Sequence, residues 1–451
     1  MPFPGYLRNY GSTIRLLAER GHRVLLCYDA PDKRRDASAQ VVESHEGIEL
    51  VPPLPRAARR REQAIAKLRL AIDYLRYLDR RFAGSPYLRR RLEKYLRGPL
   101  LGLLARAPYG LPFARSGVRA LLAVERMVPS DAGVERAIAS LAPDAVFVTP
   151  LLGRSDRNRR QTDTVKAARR LGIPVGAGVA TWDHLTTKGI VKALPDRLFV
   201  WNEIQRRDAA EFHFVPPERV VVTGAQLFDG WFERRPTTTR EEFLDHVGLA
   251  GAPRYVVYVG SSPNIAPTEL EVPFVRRWIE ALRSSGEPLL TELGVLVRPH
   301  PYTVERWAEV DLGDGDAAVA PRHPPAMPMN ELDEALYFDS IHFSEAVVGI
   351  NTTAMVEAFI QRRPVLTIRA SEFRETQEAT VHFGNLRTAA GGALQTAATF
   401  DEHVAQLRST LAEPERLREG IEAFLRTFVR PCGLDRPATA VLVDAIEGLE
   451  A

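Results

Sequence analysis

The stretch AVVGINTTAMVEAFIQRRPV, residues 346–365, decides the fold. Its apolar run at 346–350 stops at the polar turn Asn351-Thr352-Thr353. A helical pattern carrying Glu357 follows, and a second apolar run begins at Val365. GVLVRPHP at 294–301 has the same opening, an apolar run that ends in Arg298 and His300, each followed by a proline. Apolar runs alternating with amphipathic helices predict an α/β chain with mostly parallel sheets. In such sheets ligands bind beyond the carboxyl ends of the strands, where these polar residues fall.

Working outward, further strands are expected at 23–28, 48–51, 145–149, 175–179, 198–201, 220–223, 255–260 and 365–368. Helices are expected at 8–20, 270–284, 332–343, 353–361, 401–428 and 437–449. At 451 residues the chain is too long for one ordinary domain. The Pro- and Thr-rich piece 234–240 reads as a linker. It divides an N-terminal Rossmann-like domain (1–233) from a C-terminal one (241–451), whose last helix is expected to pack back on the first domain. One element is missing from the pattern. The opening MPFPGYLRNYGSTIRLLAERGHRV is the second half of a β-α-β unit, and no strand precedes Pro4-Gly5. Either that strand lies upstream of Met1, or this sheet lacks it.

A basic, helical insertion is expected over about 56–127. Between 56 and 97 there are fourteen Lys and Arg against four acids, with Ile65, Leu68, Ile72, Leu75, Leu78 and Phe82 at helical spacing. This predicts either a solvated arginine-rich helix packed on its own domain or a face for an anionic membrane surface. Nucleic acid fits less well, because Tyr74, Tyr77, Tyr87 and Tyr95 do not form a stacking platform. Two cysteines exclude a disulfide scaffold and a Cys-based zinc site, and fit a cytoplasmic location. No apolar run approaches the length of a membrane span.

The candidate site residues follow from the strand ends. Arg298 can clasp a diphosphate with two N–H bonds, and His300 can donate to a phosphate or act as acid or base. Asn351, Thr352 and Thr353 either cap a helix or offer hydroxyls to phosphate. Glu357 shares a helix face with Thr353 and is misplaced for a capping box, so it suits ribose hydroxyls. Gly349 would let backbone and ligand approach closely. Ser261 and Ser262, after the run YVVYV, offer hydroxyls to the same phosphates. Trp182, Asp183, His184 and Lys188 follow the run VGAGV, with Asp183 or His184 as general base and Lys188 beside an anionic acceptor. The bland reading of that loop is a Trp-anchored turn with an Asp–His hydrogen bond. Arg374, Gln377 and His382 would contact a sugar or its diphosphate, and Tyr6, Arg8 and Asn9 would face the acceptor. No metal-binding motif is present, neither HExxH nor a DxD at a strand end.

Taken together, the RPHP turn, the GINTT…EA segment with its following RRPV, and the opening GYLRNYGSTIRLLAERGHRV resemble the GT-B superfamily. The donor half resembles bacterial glycerophosphotransferase-like and capsule-type glycosyltransferases and the UDP-N-acetylglucosamine 2-epimerase relatives. The resemblance implies two Rossmann-like domains facing across a cleft. It implies a glycosyltransferase of polysaccharide biosynthesis that uses a nucleotide sugar and a glycan or lipid-linked acceptor, with no metal and no other cofactor. Arg298 and His300 would neutralise the diphosphate, Thr352 and Thr353 would hold phosphate, and Glu357 would bind ribose. Rival readings are glycerophosphoryl transfer, nucleotide-sugar 2-epimerisation, or a non-catalytic module at a membrane surface. The 56–127 insertion is not part of the family pattern.

Overall fold

The computed structural model describes all residues except 30–41, 56–58, 97–101, 103, 153–158, 326–329 and 450–451, together with the side chains of 59–61 and 159. Basic positions 56 and 97 of the insertion therefore lie outside the described residues. The chain divides into two compact units, Met1–Asp229 with Phe428–Ala451, and Gly230–Thr427. It crosses from the first unit to the second after Asp229 and returns after Thr427.

The second unit is built on a six-stranded, all-parallel sheet. Its strands are β7 (Tyr255–Val259), β8 (Gly294–Arg298), β9 (Ala317–Val319), β10 (Val347–Gly349), β11 (Val365–Ile368) and β12 (Gln395–Ala397), in the order β12-β11-β10-β7-β8-β9. The order doubles back at β7 and β10, which pair in register Val347↔Val257 to Gly349↔Val259. Strands covered by helices on both faces read as unbroken apolar runs, and β7, β8, β10 and β11 are buried at every position. Helix Thr268–Arg283 packs Phe274, Trp278 and Leu282 onto one side of the sheet core. Helix Glu331–His342 is started by Asn330, whose side chain accepts from the Asp333 N–H.

Two edge strands, β9 and β12, do not stand out in the sequence, because three-residue runs AAV and QTA carry little β signal. The single helix expected at 401–428 is four pieces. Helix Phe400–Ala412 stops before Pro414, which cannot continue it, and a 3-10 turn, helix Arg418–Phe424 and a π-turn follow.

In the first unit, β1 (Val24–Cys27) and β2 (Ile48–Val51) pair as a two-stranded parallel sheet. Strands β3 (Val146–Val148), β4 (Val175–Gly178), β5 (Arg197–Val200) and β6 (Val220–Val222) form a separate four-stranded parallel sheet. Helix Leu7–Glu19 shares a core with helix Ala438–Glu447, with Leu7, Tyr10 and Ile14 against Leu442 and Ile446. The return segment is also fixed by Asp229. Its carboxylate accepts from Arg430 (2.6 Å) and from the backbone N–H of Ala438 (3.0 Å) and Thr439 (2.6 Å).

The basic insertion is helical over Arg59–Arg76, Tyr87–Glu93 and Ala114–Met127. Its apolar stripe is turned inward: Ile72, Leu78 and Phe82 are buried, as are Tyr74 and Tyr77. Arg69, also buried, is ion-paired with Glu125 (2.8 Å) and Asp163 (2.6 Å). Of the two expectations for this segment, packing on its own domain describes these side chains. Among the described residues no helix is long and apolar enough to cross a membrane.

Candidate functional site

The reversal of strand order in the second unit places three loops side by side. Because β7 lies between β10 and β8, the loops at 260–262, 298–300 and 350–353 are neighbours. Gly260 N–H donates to Arg298 O (2.8 Å), and the backbone N–H of Asn351 donates to Ser261 Oγ (3.2 Å). A Cβ added at Gly260 would lie 2.7 Å from His300 N, so only glycine permits that approach. Gly349 serves a different partner from the one expected. An added Cβ there would press on Val259 Cγ2 at 3.0 Å, so its smallness makes room for strand β7.

Arg298, the last residue of β8, is buried. It donates to Leu336 O (3.3 Å), and its guanidinium lies 5.3 Å from the centre of the Tyr337 ring. No carboxylate among the described residues comes within ion-pair distance of it. Burial pulls its pKa down to about 10. Even so, it stays charged at neutral pH. Asp333 acts on it only from beyond ion-pair distance, and a buried cation with no close carboxylate is costly unless an anion arrives to meet it.

Tyr337 joins Arg298 to Glu357. Its hydroxyl donates to Glu357 Oε2, and its own ionisation is pushed well upward by burial and by that carboxylate. Neither Tyr337 nor Leu336 is singled out by the sequence, since both lie in the middle of helix Glu331–His342 and reach the site only through tertiary packing. His300 is half-buried, and its Nδ1 accepts from Tyr302 N–H (3.2 Å), which leaves the proton of the neutral ring on Nε2 as a donor. Thr352 and Thr353 are half-buried, and the Thr353 side chain does not cap the helix it precedes. That helix, Ala354–Ile360, is only seven residues long.

Other expected ligands hold the loops together. Ser261 is buried, with its N–H on Glu271 Oε1 (2.9 Å) and its hydroxyl on Asn351 N–H, so both groups are used internally. Ser262, next to it, is half-buried. Glu271 is a residue the sequence did not flag. Burial raises its carboxyl pKa to about 7, against hydrogen bonds from Ser261 N–H and the Tyr258 hydroxyl. An acid in the first turn of a helix ordinarily reads as a partner for the helix dipole, which hides such a role. Gln377 is fully buried, and its amide donates to Ile350 O (2.9 Å), Thr367 Oγ1 (2.9 Å) and Ile368 O (3.0 Å), tying the ends of β10 and β11. His382 is buried and takes the Asn351 Nδ2 at 3.1 Å, which also donates to Thr376 O (2.8 Å). Gln377 and His382 thus shape the Asn351 loop from behind. Arg374 is exposed.

The first unit gathers a second set of expected residues. Asn9 in helix Leu7–Glu19 is buried and donates to Ala180 O (2.9 Å), just beyond the end of β4. Exposed Arg8 is near enough to His184 to act on its charge, and Tyr6 precedes them half-buried. Asp183 accepts from Thr181 Oγ1 (2.6 Å) and Thr187 Oγ1 (2.8 Å), one hydroxyl on each carboxylate oxygen. The bland Asp–His hydrogen bond of the sequence reading is replaced by these two threonines. His184 is buried, and desolvation, only partly opposed by Asp183, lowers its pKa to about 4. A base that weak abstracts protons poorly at neutral pH. Trp182 is buried and Lys188 half-buried.

The basic insertion holds this loop in place. Arg76 donates to Lys188 O (2.6 Å) and to Leu185 O, and the Tyr77 hydroxyl donates to Lys188 O (2.9 Å). Asp73 accepts from Ile190 N–H (2.9 Å) and Lys192 Nζ (2.8 Å). Among the described residues no three His, Cys, Asp or Glu side chains gather as a metal-binding group.

No family model and no curated protein sequence matches the chain. Solved structures do. A UDP-GlcNAc 2-epimerase from Neisseria meningitidis, bound to UDP-GlcNAc, aligns with a TM-score of 0.54 at 12% identity, over 99% of this chain and 98% of that one. A Listeria monocytogenes protein assigned as a UDP-N-acetylglucosamine 2-epimerase aligns with a TM-score of 0.52 at 12% identity, over 98% and 93%. WaaG, a glycosyltransferase of lipopolysaccharide biosynthesis, aligns with a TM-score of 0.45 at 14% identity, over 99% and 97%. The likeness is one of fold: the chain is an α/β protein of two compact units built on parallel sheets, as the structures that it aligns with over nearly their full length are α/β folds too.

Proposed function

We propose that the protein binds a nucleotide-diphosphate sugar at the strand-order reversal of its second unit and transfers the sugar to a glycan or related acceptor without a metal. The observation that carries this reading is Arg298, a buried cation with no carboxylate partner among the described residues, at the place where open parallel sheets receive ligands. The nucleotide-sugar class is also that of the Neisseria neighbour, which holds UDP-GlcNAc.

In this reading Arg298 and the Nε2–H of His300 meet the diphosphate and stabilise the charge that grows on it as the bond to the anomeric carbon breaks. Thr352 and Thr353 offer hydroxyls to the phosphates, and Glu357, held by Tyr337, accepts from the ribose. Acceptor recognition is assigned to the 182–189 loop of the first unit. Asp183 is preferred there as base, because His184 is too weakly basic at neutral pH.

The test is calorimetric titration and thermal shift with UDP, GDP, CDP, ADP and dTDP, each with and without EDTA. One diphosphate at about 100 times its Kd should stabilise by about 2.7 kcal/mol, with or without chelator. No shift with any of the five would overturn the reading. Incubation with the matching nucleotide sugar alone then separates chemistries: an epimerised sugar formed without acceptor replaces transfer by 2-epimerisation.

A further inference from the structure

The piece 234–240 reads in the sequence as a linker, yet the structure fastens it, with the turn before it, along helix Glu331–His342. Asp339 in that helix is fully buried, and a buried carboxylate needs donors. It takes the hydroxyls of Thr237 (3.1 Å) and Thr238 (2.9 Å) and both of their backbone N–H groups (3.3 and 3.2 Å). Nearer the start of the helix, Glu334 pairs with Arg234 (2.8 Å). Between these anchors sits Trp231, from helix Asp229–Glu233. Its ring lies 5.7 Å from the Tyr337 ring, almost perpendicular at 83°, and 5.5 Å from the Phe338 ring. Perpendicular aromatic pairs at this spacing attract, and the attraction depends on orientation.

Tyr337 faces the candidate site as well. Its ring lies against the Arg298 guanidinium, and its hydroxyl donates to Glu357. The residue before it, Leu336, offers its carbonyl to Arg298. One side chain therefore touches the cation, the carboxylate and the indole. The second side-chain torsion of a tyrosine is broad, so neighbours set the plane of its ring. Among those neighbours Trp231 belongs neither to the helix nor to the three loops.

We propose that Trp231 is a positioning residue for the nucleotide-diphosphate site. By fixing the ring plane of Tyr337 it sets where the Arg298 guanidinium and the Glu357 carboxylate stand. The proposal rests on the reading of that site given above and extends it to the segment by which the chain enters the second unit. Thr237, Thr238 and Arg234 hold that segment on the helix and keep the indole seated. Loosening the indole frees Tyr337 to turn, and the ligand loses affinity although no group that touches it has changed. A ligand that draws Arg298 away from the ring alters the surroundings of the indole in return, because such coupling is reciprocal.

The experiment uses the full chain and its variants Trp231→Leu, Trp231→Phe, Tyr337→Leu and Trp231→Leu with Tyr337→Leu. Calorimetry measures the Kd of whichever nucleoside diphosphate binds the unaltered protein. Trp231→Leu should weaken binding about three- to tenfold, in the range of couplings carried by side chains remote from a ligand. Trp231→Phe, which keeps a ring beside Tyr337, should recover most of that loss. In the Tyr337→Leu background the Trp231→Leu change should cost less than about twofold, since its route to the site is gone. An unchanged Kd in Trp231→Leu would overturn the proposal. So would a loss of the same size with and without the Tyr337 ring.

Fluorescence supplies a second readout that does not depend on Trp231→Leu folding. The chain has five tryptophans, so the emission of Trp231 is taken as the difference between the unaltered protein and Trp231→Phe. Saturating diphosphate should shift that difference spectrum. Arg298→Met without ligand should shift it too, because the guanidinium has left the Tyr337 ring. A difference spectrum that neither change moves would overturn the proposal. The Arg298→Met comparison needs no ligand, so it decides the role of Trp231 separately from the five-diphosphate screen, whose failure overturns the nucleotide reading instead.

Discussion

Replacing Arg298 by methionine separates an anion-binding arginine from one kept for packing, because the two roles predict opposite signs for stability. Methionine retains most of the side-chain volume and removes the charge. Burial holds the Arg298 pKa at about 10, a depression that corresponds to about 3 kcal/mol of penalty on the charged form. The group is charged in folded and unfolded states at pH 7, so the penalty is present in full there. It fades only as pH rises through about 10. Against its removal stand the lost bond to Leu336 O, about 1 kcal/mol, and the lost contact with the Tyr337 ring, about 1 kcal/mol. The balance is neutral to about 1 kcal/mol stabilising, which for a unit of this size moves Tm by roughly 0 to +4 °C. The same substitution should weaken binding of the nucleotide diphosphate at least tenfold, about 1.4 kcal/mol, by calorimetry at fixed salt. A variant that melts more than about 4 °C lower while binding nucleotide as before would refute this account and make Arg298 a structural residue.

Other outcomes follow from neighbouring contacts. Gly260→Ala places a methyl 2.7 Å from His300 N; it should cost about 1–3 kcal/mol in denaturant unfolding and weaken nucleotide binding by parting the two loops. Glu271 has a carboxyl pKa raised to about 7 in the folded state, so the stability tied to its protonated form is present below the unfolded value and lost as pH rises through 7. Urea melts should show a decline of about 3 kcal/mol between pH 4.5 and 7.5 from this group, and Glu271→Gln should flatten that part of the profile. Arg76→Met removes the donor to Leu185 O and Lys188 O from a buried position; it should cost about 2–4 kcal/mol and increase proteolysis at the 182–189 loop, without changing nucleotide affinity.

The sequence makes the parallel architecture legible because the central strands are unbroken apolar runs. YVVYV and VLTI admit no other reading between helices, and both are buried along their whole length. Edge strands such as AAV at 317–319 are too short and too small-sided to stand out. The candidate site is legible to the level of loops and not of atoms. A polar residue after a strand announces a turn with hydrogen-bonding work, but not whether that work faces a ligand or the protein. Arg298 and Gln377 illustrate the split. Arg298 ends an apolar strand and Gln377 lies in the loop beyond another, yet Arg298 has no carboxylate within ion-pair distance among the described residues while Gln377 bonds three groups of its own unit. Glu271 and Tyr337 reach the loops from helices that are remote in sequence, and only tertiary packing brings them there. The basic insertion fits its packing reading at the residues that are buried. Charge density alone does not tell a surface role from packing; here Arg69, Asp73 and Arg76 lie buried in bonds that brace the interior of the first unit.

The clamp at Asp229 has a consequence for how this protein can be dissected. Residues 230–427 leave and re-enter the first unit at points that Asp229, Arg430, Ala438 and Thr439 hold together, so the second unit is a cassette inserted into the first. Cutting the gene at its middle would strand the terminal helix from the module it completes. Excising 230–427 and bridging 229 to 428 with a few glycines leaves that clamp intact, and the same two seams mark where the corresponding unit of another protein of this fold could be grafted.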